Sequence, residues 1–348
     1  MRAAIFEGPE KIRVGEWPTP TCNENEILLK TSYCAICGTD VRTFFHGHKK
    51  VQPPAIIGHE ISGTVVDTGK NVRCVSKGDS ITLVTSVGCG LCKSCQKGFY
   101  NLCPDTKAIG YHYPGGFAEY VVIPESAVKQ DACILLPENV SLLQGALIEP
   151  LSCAINGQNY LGIKSGDIVV IFGGGPIGFM HAMLAQAQGA EQVMMIDPNF
   201  ERLQRFSKKF QNLLLIDPRS TDPVKEVKKL TSDFGADVII TSCPAKEAQL
   251  QALEMAAPRA RISLFGGLPK DDSILAIDTN TIHYGEISLF GSFASNKNEY
   301  LQATNMISKR LINPDLFITE VIPLESIEEG IRKMRTGEVL KIVVELSE

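Results

Sequence analysis

The chain has 348 residues, 44% of them hydrophobic and 21% charged, with a net charge of −5. That length exceeds one ordinary core, so two domains are expected, and the composition is that of a globular protein. The acidic balance leaves no electrostatic footprint for nucleic acid, no apolar run approaches the roughly 18 residues of a membrane span, and Met1-Arg2-Ala3-Ala4-Ile5 has no signal-peptide core; a cytoplasmic protein with neither a nucleic-acid nor a membrane partner is expected.

From Met1 to about Val87 the pattern is mostly β. Runs at Ala3–Phe6, Glu26–Tyr33, Ile61–Thr68 and Ser80–Val84 are separated by Gly, Pro, Asn and Asp turns. Cys37-Gly38-Thr39-Asp40 follows the second run, and Gly58-His59-Glu60 leads into the third. Each is weak alone, since an isolated cysteine is ordinarily core and an isolated histidine a satisfied polar group. Between them, Arg42 to Lys50 carries Arg42, His46, His48, Lys49 and Lys50. This basic run reads as a solvated loop or, more pointedly, as a phosphate pocket built on the planar guanidinium of Arg42.

Eleven cysteines need a reason in a compartment that disfavours structural disulfides. Cys89-x2-Cys92-x2-Cys95-x7-Cys103 occupies a Gly- and Pro-bearing loop between strands. Four thiolates close a tetrahedral shell around zinc with no open position, a site that holds a loop together and does no chemistry. An iron–sulfur cluster or a redox pair are the competing readings, although nothing else in the chain suggests one-electron chemistry. Cys22, Cys34, Cys74, Cys133, Cys153 and Cys243 are scattered and read as buried thiols.

Val121 to Pro137 continues the β pattern, and Ser141 to Leu161 reads as helix carrying Glu149-Pro150. Cys37, His59, Glu60 and Glu149 together offer one sulfur, one imidazole and two carboxylates. A catalytic zinc needs three protein ligands and one position left open.

Ile168 to Phe172 is a short apolar run, the mark of a buried parallel strand. Gly173-Gly174-Gly175-Pro176-Ile177-Gly178 follows at once, then a helix from Phe179 to Gln188, then a second strand from Gln192 to Ile196 that ends at Asp197. Gly173 lets the chain turn, Gly175 leaves room for a pyrophosphate, and Gly178 lets the helix pack closely. Asp197, about 20 residues on, can accept from a ribose diol. The bland alternative is a tight strand-to-helix turn. Further strands are expected at 213–216, 237–242, 260–265 and 287–290, with helices between most of them, giving a doubly wound parallel sheet. After Asn296 a helix, a Pro-bounded segment and the strand Lys341–Glu345 can return to the first domain. The expected division is 1–155 with 295–348, and 156–294 inserted between them.

These motifs, in this order, resemble the zinc-dependent medium-chain alcohol dehydrogenases, specifically the polyol (sorbitol/xylitol-like) branch. The resemblance spans essentially the whole chain and includes Gly115-Gly116-Phe117-Ala118-Glu119-Tyr120, Glu149-Pro150-Leu151 and Gly291-Ser292-Phe293. It implies an α/β protein with a GroES-like, mostly-β catalytic domain and a Rossmann NAD-binding domain, an active site in the cleft between them, and a homodimer or homotetramer built through the Rossmann domains. It also implies two zinc ions per chain, one catalytic and one structural, with NAD as cofactor. Carried over residue by residue, Cys37 and His59 are zinc ligands, and Glu60 is a ligand or an exchange partner. Glu149 stands where other members have a second cysteine, as a harder and more displaceable donor. Thr39 takes the substrate proton and Asp40 supports the histidine. Gly173, Gly175, Pro176, Ile177, Gly178, Asp197 and Arg202 form the cofactor set, with Arg202 placed to soften the preference of Asp197 for NAD over NADP.

Two departures stand out. Gly38 replaces the Arg or His that touches the cofactor phosphates in other members, and Arg42 replaces a histidine that ends the proton relay. The implied activity is hydride transfer between a secondary alcohol of a polyol, free or phosphorylated, and NAD. The alternatives are another zinc-chelating alcohol such as threonine and, from a different class, a non-catalytic NAD(H)-binding redox sensor.

Overall fold

A computed structural model describes residues 1–346. The chain forms two compact units, Met1–Cys153 with Ala294–Glu348, and Ala154–Phe293.

In the second unit, six parallel strands form one sheet: Ile168–Phe172, Gln192–Ile196, Leu213–Ile216, Ala236–Thr241, Ala256–Leu264 and Ser288–Gly291. Their spatial order is third, second, first, fourth, fifth, sixth. The first strand is therefore central, and Val169, Val170 and Ile171 are fully buried. Covered on both faces, it can be apolar without alternation. The strand order reverses beside it, and the glycine turn leaves its carboxyl end, where open α/β sheets hold their ligands. The following helix spans Pro176–Ala187, with Pro176 in its first turn. It starts earlier than Phe179 because proline is pre-set for a helix's first position. The fifth strand also begins earlier than expected. Pro258 and Arg259 (φ +63°) lie within it, where the register slips between Ala236 and Val238 of its neighbour. A bulge there absorbs a proline that cannot join the ladder.

In the first unit, a sheet runs Cys133–Leu135, Ser80–Leu83, Glu60–Thr68, Ile27–Ala35, Lys341–Glu345, Ile318–Pro323, with Tyr120–Ile123 also paired to Ile27–Ala35. Register positions the site. Ala35 pairs with Glu60 on one side and with Val343 on the other. Cys37, His59 and Lys341 therefore leave or enter three neighbouring strands at the same end of the sheet. A smaller sheet joins Lys11–Glu16, Arg2–Gly8 and Ala55–Ile56.

Two expectations need correction. The basic run is not a loop throughout, because Gly38–His46 is a helix ended by Gly47 at φ +72°. Its buried face holds only Asp40, Thr43 and Phe44, too narrow a stripe to give a helical period. The helical stretch from Ser141 is broken into Leu142–Gly145 and Ile148–Asn159. Among the described residues, no helix is long and apolar enough to cross a membrane.

Candidate active site and metal centres

Ligand atoms of Cys37, His59 and Glu60 lie within 4.8 Å of one another. Cys37 caps the helix Gly38–His46, and its backbone N–H donates to Asp40 Oδ2 at 2.9 Å. Asp40 Oδ1 is 3.5 Å from His59 Nδ1. One buried carboxylate thus fixes the cysteine backbone and faces the histidine ring. His59 Nδ1 and Glu60 Oε2 are buried and have no hydrogen-bond partner. Unpartnered buried donors and acceptors are costly, and a sulfur, an imidazole and a carboxylate converging this closely suit a zinc ion. Burial disfavours charge on His59, yet Tyr111, Asp40 and Cys37 outweigh it and raise its pKa well above the usual value. The local field therefore favours a cation.

Lys341, from the strand nearest the C-terminus, carries no recognisable motif. Its buried Nζ donates to Glu60 Oε1 at 2.6 Å and to the Ile36 carbonyl at 3.1 Å. Glu60 is wholly buried, and burial pushes its pKa up to about 7, with Glu149 adding to the rise while Lys341 and His59 oppose it. Lys341 rises in turn, its burial outweighed by Glu60 and the neighbouring acids. Glu60 thus has one oxygen held and the other free.

Glu149 lies in the first turn of Ile148–Asn159, and its Oε1 is 3.5 Å from Cys153 Sγ. It stands outside the close Cys37–His59–Glu60 group, although its charge bears on Glu60 and Lys341. Arg42 Nη2 donates to Thr39 Oγ1 at 3.4 Å, a long bond at an exposed position. Tyr111 is a second residue without a sequence signal. Its ring centre lies 5.4 Å from that of His59 and 5.1 Å from that of His48.

The four clustered cysteines also converge, with ligand atoms within 4.8 Å of one another. Cys92 Sγ is 3.5 Å from Cys95 Sγ and 3.8 Å from Cys103 Sγ. A zinc–sulfur distance of 2.3 Å in a tetrahedron gives sulfur–sulfur edges of about 3.8 Å, so the set fits the metal. Backbone N–H groups of Cys89 and Cys92 donate to Cys103 Sγ and Cys89 Sγ at 3.3 and 3.4 Å. The N–H groups of Leu91 and Cys92 lower the Cys89 thiol to about 7, whereas burial pushes Cys95 up to about 12. The loop is tied to the start of the helix Lys297–Ser308 by Asn101 and Asn296, which exchange two hydrogen bonds at 3.2 and 2.9 Å.

At the glycine turn, Gly173 has φ +108°, and a Cβ on Gly178 would sit 1.8 Å from the Gly173 carbonyl oxygen. Gly175 differs, because a Cβ there meets nothing within 4 Å and its φ is an ordinary −87°. The fold does not require glycine at that position. Space beside the helix N-terminus, where free N–H groups collect, suits a dinucleotide pyrophosphate. Asp197 is buried, and its carboxylate accepts from Gly174 N at 2.6 Å, Asn199 N at 2.7 Å and Arg202 Nη2 at 2.8 Å.

Residues 23–136 match the family described as alcohol dehydrogenase GroES-like domain, and residues 176–309 that described as zinc-binding dehydrogenase. The chain is 32% identical to the D-arabitol-phosphate dehydrogenase of Enterococcus avium, over 94% of its own length and 91% of that protein's. It is also 32% identical to the L-threonine 3-dehydrogenase of Bacillus velezensis, over 94% of each. Among solved structures it is similar to that of a protein classed as a zinc-binding dehydrogenase from Sinorhizobium meliloti 1021, bound to NADP. The TM-score there is 0.91 at 30% identity, covering 99% of this chain and 98% of the other.

Proposed function

Because the chain belongs to the zinc-dependent medium-chain alcohol dehydrogenase family, we propose that it moves a hydride between a secondary alcohol of a polyol, free or phosphorylated, and NAD. The convergence of Cys37, His59 and Glu60 carries this reading. The likeness to the arabitol-phosphate enzyme supports the polyol. Equal identity to the threonine enzyme supports a second reading, an amino alcohol.

When bound, zinc supplies Lewis-acid polarisation of a hydroxyl and the nicotinamide supplies the hydride acceptor. Cys37 and His59 would hold the metal, and either Glu60 or Glu149 would lend the third donor. A carboxylate held less tightly than a thiolate would leave room on such a metal for a substrate hydroxyl. Asp40 keeps the cysteine backbone and the imidazole in register with each other. Thr39 Oγ1 receives the substrate hydroxyl proton. The Arg42 guanidinium donates to Thr39 Oγ1 and offers no acceptor for it, so the proton leaves by another route, through water or through His46, His48 or Glu149. Cys89, Cys92, Cys95 and Cys103 would hold a second zinc, closing their loop.

The catalytic part is 1–155 with 295–348, and 156–294 holds the dinucleotide, in a homodimer or homotetramer in the cytoplasm. A buried carboxylate at Asp197 repels a 2′-phosphate and favours NAD, while Arg202, paired to it, narrows that preference. A panel of polyols, polyol phosphates and amino alcohols, read by dinucleotide absorbance with NAD and with NADP, tests the reading. Turnover of threonine alone overturns the polyol, and faster turnover with NADP at equal concentration overturns the role of Asp197.

A further inference from the structure

We propose that a basic cavity of the first unit, outside the metal cluster, binds the phosphate monoester of a sugar or polyol. The cavity holds about 400 Å³, near the lower end of small-molecule sites. Its walls include Trp17, Lys50, Lys107, Tyr111, His112 and Tyr113, with Gln52, prolines and aliphatic residues completing them. Among the described residues no carboxylate lines it, in a chain whose net charge is −5.

Its lining includes the donor-bearing side chains of Lys50, Lys107 and His112. His112 Nδ1 accepts from the Ala108 N–H at 3.1 Å, so the neutral ring carries its proton on Nε2. Lys107 Nζ stands 5.9 Å from the centre of the Tyr113 ring. The backbone N–H of Lys50 donates to His48 Nδ1 at 3.2 Å, and His48 in turn packs against Tyr111. Burial lowers the pKa of His112, and the charges of Lys50 and Lys107 add to the fall. A phosphate monoester brings a charge of about −1.5 to −2 and three acceptor oxygens to such a group of donors. Trp17, Tyr111 and Tyr113 offer apolar faces for a short carbon chain beside it. Tyr111 is also the ring against His59, so one side chain is shared between this cavity and the metal cluster.

Trp17 is the only tryptophan and therefore reports directly on occupancy. The zinc-loaded enzyme, free of dinucleotide, is titrated with sorbitol 6-phosphate, sorbitol and inorganic phosphate at constant ionic strength while Trp17 emission is followed. The expected result is a saturable change with sorbitol 6-phosphate at a Kd at least tenfold below that for sorbitol. Lys50→Ala combined with Lys107→Ala, with circular dichroism and zinc content unchanged, raises that Kd tenfold or more, and the paired Lys→Arg variant keeps it. No saturable change with sorbitol 6-phosphate, or the same Kd in the alanine variant, overturns the proposal. A response to inorganic phosphate equal to that for sorbitol 6-phosphate overturns the part assigned to the aromatic walls.

Kinetics separate two sources of the phosphate. If it belongs to the substrate, an arm that rests on the polyol reading, the kcat/KM advantage of sorbitol 6-phosphate over sorbitol falls at least tenfold in the alanine variant. If it belongs to a separate ligand, sorbitol 6-phosphate is not turned over but shifts the KM of a free polyol in the wild type and not in the variant. Absence of turnover with every polyol, with the fluorescence change intact, removes the polyol reading and leaves the phosphate site standing.

Discussion

At Lys341 a buried ammonium and a buried carboxylate meet at 2.6 Å. Lys341→Met keeps most of the volume and leaves Glu60 buried without its cation. Breaking such a pair costs about 3–5 kcal/mol. A clearly lower unfolding midpoint is therefore expected for the metal-free protein, and adding Glu60→Gln recovers most of the loss. Equal midpoints for wild type and Lys341→Met would show that the pair contributes nothing. His181 makes a second prediction. It is fully buried, its Nδ1 is 3.1 Å from Gln158 Nε2, and burial lowers its pKa to about 3. Above the unfolded value of about 6.5 both states are neutral. As pH falls from there towards 3, the unfolded chain takes up a proton that the folded chain refuses, and stability drops by about 1.4 kcal/mol per pH unit. His181→Leu should flatten that part of the pH dependence, as read from urea midpoints at pH 7 and pH 5. An unchanged slope would mean that His181 is charged or exposed. Cys37 and His59 were legible in the sequence because each sits in a short motif at a strand end. Lys341 was not, since 281 residues separate it from Glu60 and only sheet register brings them together. Tyr111 was hidden for a similar reason, as a ring has no motif until its neighbours are known.

At the scale of elements, the glycine turn separates what the fold needs from what a ligand needs. Gly178→Ala would drive a methyl to 1.8 Å from a backbone oxygen, so it should lower the melting temperature as well as dinucleotide affinity. Gly175→Ala meets nothing within 4 Å and should leave the melting temperature unchanged while weakening NADH binding about tenfold, the scale of a 1.4 kcal/mol loss. Calorimetric titration beside a thermal melt checks both. A Gly175→Ala protein that binds NADH as tightly as wild type would move the pyrophosphate elsewhere. The parallel strands were readable because each is a short apolar run covered on both faces. The helix Gly38–His46 was not, because its cap is a cysteine and its buried stripe is three residues wide.

Across the whole molecule, two metal sites should answer differently to loss of one ligand. Elemental analysis is expected to give two zinc ions per chain. Cys103→Ser should lower the melting temperature, since a structural site contributes folding energy directly. Cys37→Ser should abolish turnover and leave the melting temperature close to wild type. One zinc per chain in carefully prepared wild type would show that one cluster is misassigned. The first unit is discontinuous, and its sheet inserts Lys341–Glu345 between Ile27–Ala35 and Ile318–Pro323. A ribosome adding roughly 5–20 residues per second needs on the order of 14–56 s to travel the 281 residues from Glu60 to Lys341. For that time the nascent chain has Cys37, His59 and Glu60 but not the countercharge for Glu60, and the Tyr33–Ala35 edge waits for its partner. The closing strand thus sets an order of events in the cell: the Glu60 side of the sheet is synthesised early, and its buried countercharge arrives only once Lys341–Glu345 has been made.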